Sequence, residues 1–184
     1  MGWIESAKRG YPCKVDGLEI PWMNYAAIAF WEETPKKEFI LFEFGSGYST
    51  IFFARLVNKV TSVEYDRAWF QTVEAKIPDN ATLIFKEKDI DGAYCRSIQE
   101  TNQQYDIIIV DGRDRVNCVK QSISVLTPNG AIALDDSQRE KYQPAIDYAK
   151  KKGFKVLHLD GLKPSEFRYS RTTIFYRDNN CLGI

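Results

Sequence analysis

What the chain lacks narrows its chemistry first. Among 184 residues there is one histidine, His158. It falls inside an apolar run, 155–159, that reads as a strand, so it is assigned a structural or surface place rather than a catalytic one. A Ser-His-Asp triad would have to use it, and nothing places a nucleophilic serine nearby, which removes most histidine-dependent chemistry. The four cysteines, Cys13, Cys95, Cys118 and Cys181, are scattered with no C-x-x-C spacing. That leaves zinc and redox motifs without support and fits reduced thiols in a cytoplasm. Net charge is missing as well: 25 basic residues balance 25 acidic ones, and no long basic block offers a nucleic acid a foothold. No stretch reaches the roughly 18 apolar residues of a membrane span. The N-terminal region carries Glu5, Lys8, Arg9, Lys14 and Asp16 without an apolar core segment, which is not the pattern of a secretory signal. The expectation is a cytoplasmic protein with neither a nucleic-acid nor a membrane partner.

What is present is a regular alternation. Short apolar strands are expected at 39–44, 60–64, 82–86, 105–110, 131–134, 155–159 and 172–176, with amphipathic helices between most of them. Ile107, Ile108, Ile109 and Val110 form an unbroken apolar run, as in a central strand covered on both faces. Asp66 and Asp114 stand where helix N-caps are expected. Pro128-Asn129-Gly130 reads as a break before the fifth strand. Only a loop separates the last two strands, so they should pair antiparallel. This pattern predicts an α/β fold: a Rossmann-like, doubly wound, mostly parallel seven-stranded sheet with helices on both faces and a C-terminal antiparallel pair. At this length one domain, 1–184, is expected, large enough to bury roughly 70% of its unfolded surface. It divides into a helical extension, 1–35, and a core, 36–184. In the extension a helix from Trp22 to Glu33, introduced by Pro21, carries several aromatic residues and should pack against the sheet, although with Tyr48 it could also wall a cleft.

The most informative stretch joins the first strand to the first core helix: Glu43-Phe44-Gly45-Ser46-Gly47. An apolar strand ends in an acid, and two glycines follow where a bound molecule would need close approach to backbone. Glu64 closes the next strand, 19 positions after Gly45, the spacing of a ribose-gripping carboxylate on a neighbouring strand. Acids recur at the later strand ends: Asp89 and Asp91 after the third, Asp111 after the fourth, Asp135 and Asp136 after the fifth. Crowded carboxylates repel one another and call for a cation, a hydrogen-bonded ligand or raised pKa values.

The Glu43–Gly47 turn with Glu64 resembles the cofactor motif of class I S-adenosylmethionine-dependent methyltransferases, and the resemblance covers roughly residues 39–177. It implies S-adenosylmethionine as cofactor, with Glu43, Gly45, Ser46, Gly47, Glu64, Tyr65, Asp89, Asp91 and Asp111 around it. Glu64 would accept both ribose hydroxyls, and Asp89 or Asp91, with Tyr94, would lie by the adenine. A pyrophosphate fits this turn less well, because Glu43 would repel it. The segments around Asp111 and Asp135-Asp136 look like those of metal-dependent O-methyltransferases, which implies Asp111, Asp135 and Asp136 as magnesium ligands and Asp111 with Asp136 as catalytic residues. Against the metal stands the missing lysine of the catechol-type motif, replaced by Arg113 and Arg115, which could pair with the acids and neutralise the site.

The expected function is methyl transfer to a small molecule at a hydroxyl oxygen, assisted by a carboxylate or by magnesium. No Asn-Pro-Pro-Tyr motif of amino-group methyltransferases occurs. The rivals are an NAD(P)-dependent oxidoreductase and a non-catalytic nucleoside-binding module. Little sequence lies outside the core to build a lid. That leaves an open site for a large substrate, a homodimer that completes the site, or lost activity.

Overall fold

The computed structural model describes residues 2–184. The expected strands form at β1 (Ile40–Phe44), β2 (Lys59–Glu64), β3 (Ala81–Phe85), β4 (Tyr105–Val110), β5 (Leu126–Leu134), β6 (Lys155–Leu162) and β7 (Tyr169–Tyr176). They make one sheet in the order β3-β2-β1-β4-β5-β7-β6. The first five run parallel, and β7 lies antiparallel between β5 and β6. Consecutive strands grow outward from β1 to β3 and then resume on the other side with β4. The strand order therefore reverses between β1 and β4, where their carboxyl ends open a crevice.

Among the described residues seven α-helices accompany the sheet: α1 (Trp3–Arg9), α2 (Tyr25–Glu33), α3 (Tyr48–Ala54), α4 (Arg67–Glu74), α5 (Ala93–Glu100), α6 (Arg115–Ser122) and α7 (Gln143–Lys151). Side chains alternate across each strand, so each face collects its own core. Phe42, Phe44, Ile108, Val110 and Leu134 pack on one face against Tyr94, Val119 and Ile146 from α5, α6 and α7. Leu41, Ile107, Ile109 and Ala133 pack on the other against Ala27 and Trp31 of α2 and Phe53 of α3. The helical extension is thus a covering layer of the sheet rather than an appendage. Among the described residues no helix is long and apolar enough to cross a membrane.

Three local expectations need correction. Pro128-Asn129-Gly130 does not break the chain before β5 but lies within it. The ladder to β4 shifts register between Tyr105 and Ile107, and that irregularity accommodates a proline. The extension's main helix begins at Tyr25, because the Asn24 side chain accepts the Ala27 N–H at 3.0 Å and caps it there. Trp22 is left outside, 41% exposed, while Trp31 is fully buried, so this helix packs and does not wall the cleft. Asp66 caps α4 as expected, 3.0 Å from the Trp69 N–H. Asp114 does not cap α6. It has φ +46°, and its carboxylate accepts instead from the Asp91 N–H at 2.8 Å and the Asn117 amide at 2.9 Å.

Candidate functional site

At the reversal of strand order the β1–α3 turn and the β4–α6 turn meet back to back. Gly45 has φ +90°, and a Cβ placed on it would lie 2.9 Å from the Gly112 Cα. A Cβ on Gly112 would lie 2.8 Å from the Gly45 nitrogen and 2.0 Å from the Tyr94 hydroxyl. Both positions require glycine, and the first reason is backbone against backbone rather than backbone against ligand. Beside this contact opens a cavity of about 510 Å³ whose walls include Gly45, Ser46, Glu64, Tyr65, Asp111 and Arg113. Five residues expected to surround a cofactor on sequence grounds therefore converge on one space.

Glu43 and Glu64 flank the turn in different ways. Glu43 is fully buried and accepts hydrogen bonds from Ser49, from Thr50 at 2.6 Å and from Ser62 at 2.7 Å. Thr50 in turn accepts the Gly47 N–H at 3.0 Å, so Glu43 braces the glycine turn from beneath and does not face the cavity. Burial pushes its pKa up to about 7, against the pull of the three hydroxyl donors. Glu64 does line the cavity. Its Oε1 accepts the Tyr65 and Asp66 N–H groups at 2.8 and 2.9 Å. Its Oε2 accepts the Ser46 N–H and hydroxyl at 3.1 and 3.0 Å. Trp69 fixes the same loop by donating its indole N–H to the Ser46 carbonyl at 2.8 Å.

The other expected cofactor residues divide. Tyr65 lines the cavity, with Arg113 lying 4.9 Å over its ring and donating to its hydroxyl at 2.7 Å. Asp89 and Asp91 are not drawn into it. Asp89 accepts the Ala93 and Tyr94 N–H groups at 2.5 and 3.1 Å and so caps α5, while Asp91 pairs with Arg96 at 2.8 Å. Tyr94 is buried beneath Gly112. The third strand end is thus occupied with its own turn, and a carboxylate four residues before a helical amide is as good a cap as a ligand.

Asp111, Asp135 and Asp136 do come together, with one oxygen of each within 4.8 Å of the others. Asp111 borders the cavity and keeps about a quarter of its side chain exposed. Asp135 is fully buried and Asp136 nearly so. Each carries a cationic partner. Arg115, itself buried, reaches Asp111 at 2.7 Å and donates to the Asp135 carbonyl at 2.6 Å. Arg139 holds Asp136 at 2.6 Å. Lys163, from the turn between β6 and β7, lies 2.8 Å from Asp135 and 2.9 Å from Asp136. Asp135 also accepts from the Thr172 hydroxyl at 2.6 Å. Burial raises the Asp111 pKa well above the carboxylate range, with Arg115 opposing and Asp135 reinforcing. For Asp136 burial acts upward, but Lys163, Arg115 and Arg139 together hold the pKa below its ordinary value. Asp136 has φ +53°, a conformation that costs a non-glycine residue about 1–3 kcal/mol and that these ion pairs stabilise.

The residues present suit the two expected groups unequally. A nucleoside with a sulfonium side chain matches a cavity lined by a glycine turn, Glu64 and Asp111. A divalent metal does not match the acidic trio as built, because the Lys163 ammonium already fills the space between Asp135 and Asp136. Arg115 was anticipated as a neutralising partner. Lys163 was not, because a lone lysine before Pro164 in a loop carries no periodic or spacing signal.

No protein-family model matches the sequence, and no curated protein matches it. Solved structures do match in shape. A precorrin-6y C5,15-methyltransferase from Geobacter metallireducens superposes with a TM-score of 0.70 at 11% identity, covering 94% of this chain and 96% of that one. A precorrin-8w decarboxylase from Methanobacterium thermoautotrophicum gives 0.63 at 17% identity, covering 91% and 97%. A Streptococcus mutans protein in complex with S-adenosylhomocysteine gives 0.60 at 16% identity, covering 80% and 94%. The fold is that of the class I S-adenosylmethionine-dependent methyltransferases.

Proposed function

We propose that this chain, built on the class I methyltransferase fold, binds S-adenosylmethionine and transfers its methyl group to a small molecule at a hydroxyl oxygen. The observation that carries the reading is the convergence of Gly45, Ser46, Glu64, Tyr65 and Asp111 on one cavity at the reversal of strand order. When bound, the cofactor supplies a methyl group on sulfonium, ready for in-line displacement. Glu64 would hold the ribose, with its charge matched to paired hydroxyl donors. The Gly45–Gly112 contact keeps the floor of the cavity free of side chains. Tyr65, with Arg113 across its ring, forms one wall.

Asp111 borders the same cavity at its β4 end, and its raised pKa suits it to take the proton of an acceptor hydroxyl near neutral pH. Asp136 acts through the ion-pair cluster that fixes Asp111 and Arg115 rather than by touching the acceptor. The balanced charge of the chain supports a small acceptor over a nucleic acid. Magnesium assistance, the other variant of this chemistry, is disfavoured by the position of Lys163. Glu43 lies buried beneath the turn and does not face the cavity, so the expected repulsion of a pyrophosphate is absent and ligand binding decides between methyl transfer and an NAD(P)-linked activity. Calorimetry with S-adenosylmethionine, S-adenosylhomocysteine and NAD tests the reading. Binding of the first two with NAD silent is expected, and binding of NAD alone would overturn it.

A further inference from the structure

The β6–β7 turn carries Lys163 back over the carboxyl end of β5. Its ammonium lies 2.8 Å from Asp135 Oδ2 and 2.9 Å from Asp136 Oδ1, and the side chain is almost wholly buried. Three carboxylates with oxygens this close usually signal a hard divalent cation held by oxygen ligands. Here the oxygens are already engaged. Asp135 has Lys163 and Thr172, Asp136 has Lys163, Arg139 and Ser170, and Asp111 has Arg115. Magnesium would need oxygens at about 2.0–2.1 Å, in a space the ammonium fills. Thr172 and Ser170, which bind Asp135 and Asp136, belong to β7, so the hairpin that carries Lys163 also holds its two partners.

We propose that Lys163 is the resident cation of the acceptor side, a positioning residue that takes a divalent ion's place among Asp111, Asp135 and Asp136 and makes the reaction independent of metal. The claim about the reaction rests on the methyltransferase reading above; the claim about metal does not. An ammonium is a compact point charge with three donors, of which two face Asp135 and Asp136. Unlike an ion with open coordination positions, it does not require an acceptor with two adjacent chelating oxygens. The acceptor class that follows extends to small molecules with a single nucleophilic hydroxyl and no chelating neighbour.

Manganese uptake followed by electron paramagnetic resonance, on the intact protein, tests the substitution of ammonium for ion directly. Wild-type protein is expected to leave Mn²⁺ free. Lys163→Met is expected to take up Mn²⁺ stoichiometrically, and Lys163→Met combined with Asp135→Asn is expected to lose that uptake. Stoichiometric uptake by wild type, or no uptake by folded Lys163→Met, overturns the proposal. Should Lys163→Met fail to fold, Lys163→Arg with wild type decides: both metal-free supports the proposal, and uptake by either overturns it. S-adenosylhomocysteine calorimetry on the same wild-type sample separates the two claims. Silence there removes the methyltransferase reading and leaves the manganese result standing.

Discussion

The two halves of the site bury carboxylates by opposite means. On the β1–β2 side, Glu43 and Glu64 are surrounded by neutral donors: three hydroxyls for one, three backbone amides and a hydroxyl for the other. On the β4–β5 side, Asp111, Asp135 and Asp136 are matched by Arg115, Arg139 and Lys163. Neutral donors stabilise a buried acid without fixing its charge, so it can carry a proton, as Glu43 does near pH 7. Cations favour the charged form, as they do at Asp136, and make each member of the cluster depend on the others. The first half is therefore adjustable by pH and by ligands; the second is locked at Asp135, Asp136 and Lys163, and only Asp111 at the cavity edge, its pKa raised to about 7, takes up a proton there.

The largest effect should come from breaking the locked half. Asp135→Ala removes the fully buried carboxylate that pairs with Lys163 and accepts from Thr172, and should destabilise the fold by about 3–5 kcal/mol in urea unfolding. A loss under about 1 kcal/mol would put the cluster on a level with exposed ion pairs. In the adjustable half, Glu43 titrates near 4.5 when unfolded and near 7 when folded, so the native state binds the extra proton between those values. Its contribution is fully present below about pH 4.5 and is lost as pH rises through about 7, about 3 kcal/mol in all at 1.4 kcal/mol per unit. Glu43→Gln should flatten that part of the stability–pH curve. Equal slopes in variant and wild type would show Glu43 ionised throughout and the contrast with the locked half false.

Two smaller changes sharpen the contrast within the cavity. Glu64→Ala should weaken S-adenosylhomocysteine binding by about 1–3 kcal/mol in calorimetry. No change would remove Glu64 from the site. Ser46→Ala should act in the opposite direction, tightening binding by less than about 1 kcal/mol, because it removes a hydroxyl that competes for Glu64 Oε2. Weaker binding in that variant would make Ser46 a ligand contact instead.

Much of the architecture was legible because it rests on periodicity. The run Ile107–Val110 reads as a central strand, and it is one, with β1 and β5 on either side. Strand-end acids could be located for the same reason, since the end of an apolar run is visible in one dimension. Which way each acid faces was not legible. Glu43 lies one residue inside the end of β1 and Glu64 ends β2, yet one points beneath the turn and the other into the cavity. Asp89 looks like a ligand until the helix it caps is seen. Lys163 lies 28 positions from Asp135 and meets it only because β7 inserts between β5 and β6. Contacts made by topology leave no local pattern.

The four donors on Glu64 have a consequence for how a nucleoside enters. A carboxylate offers about four acceptor positions, and Ser46, Tyr65 and Asp66 use them all. A ribose diol arriving there must displace donors of the loop, three amides and one hydroxyl, so its own hydrogen bonds are partly offset by those it replaces. Glu64 then contributes less than two newly formed bonds to a free carboxylate would, and the rest of the affinity arises at the two ends of the molecule, around the base and the amino-acid tail. A bare nucleoside should gain little from the exchange, however well its sugar matches the acid.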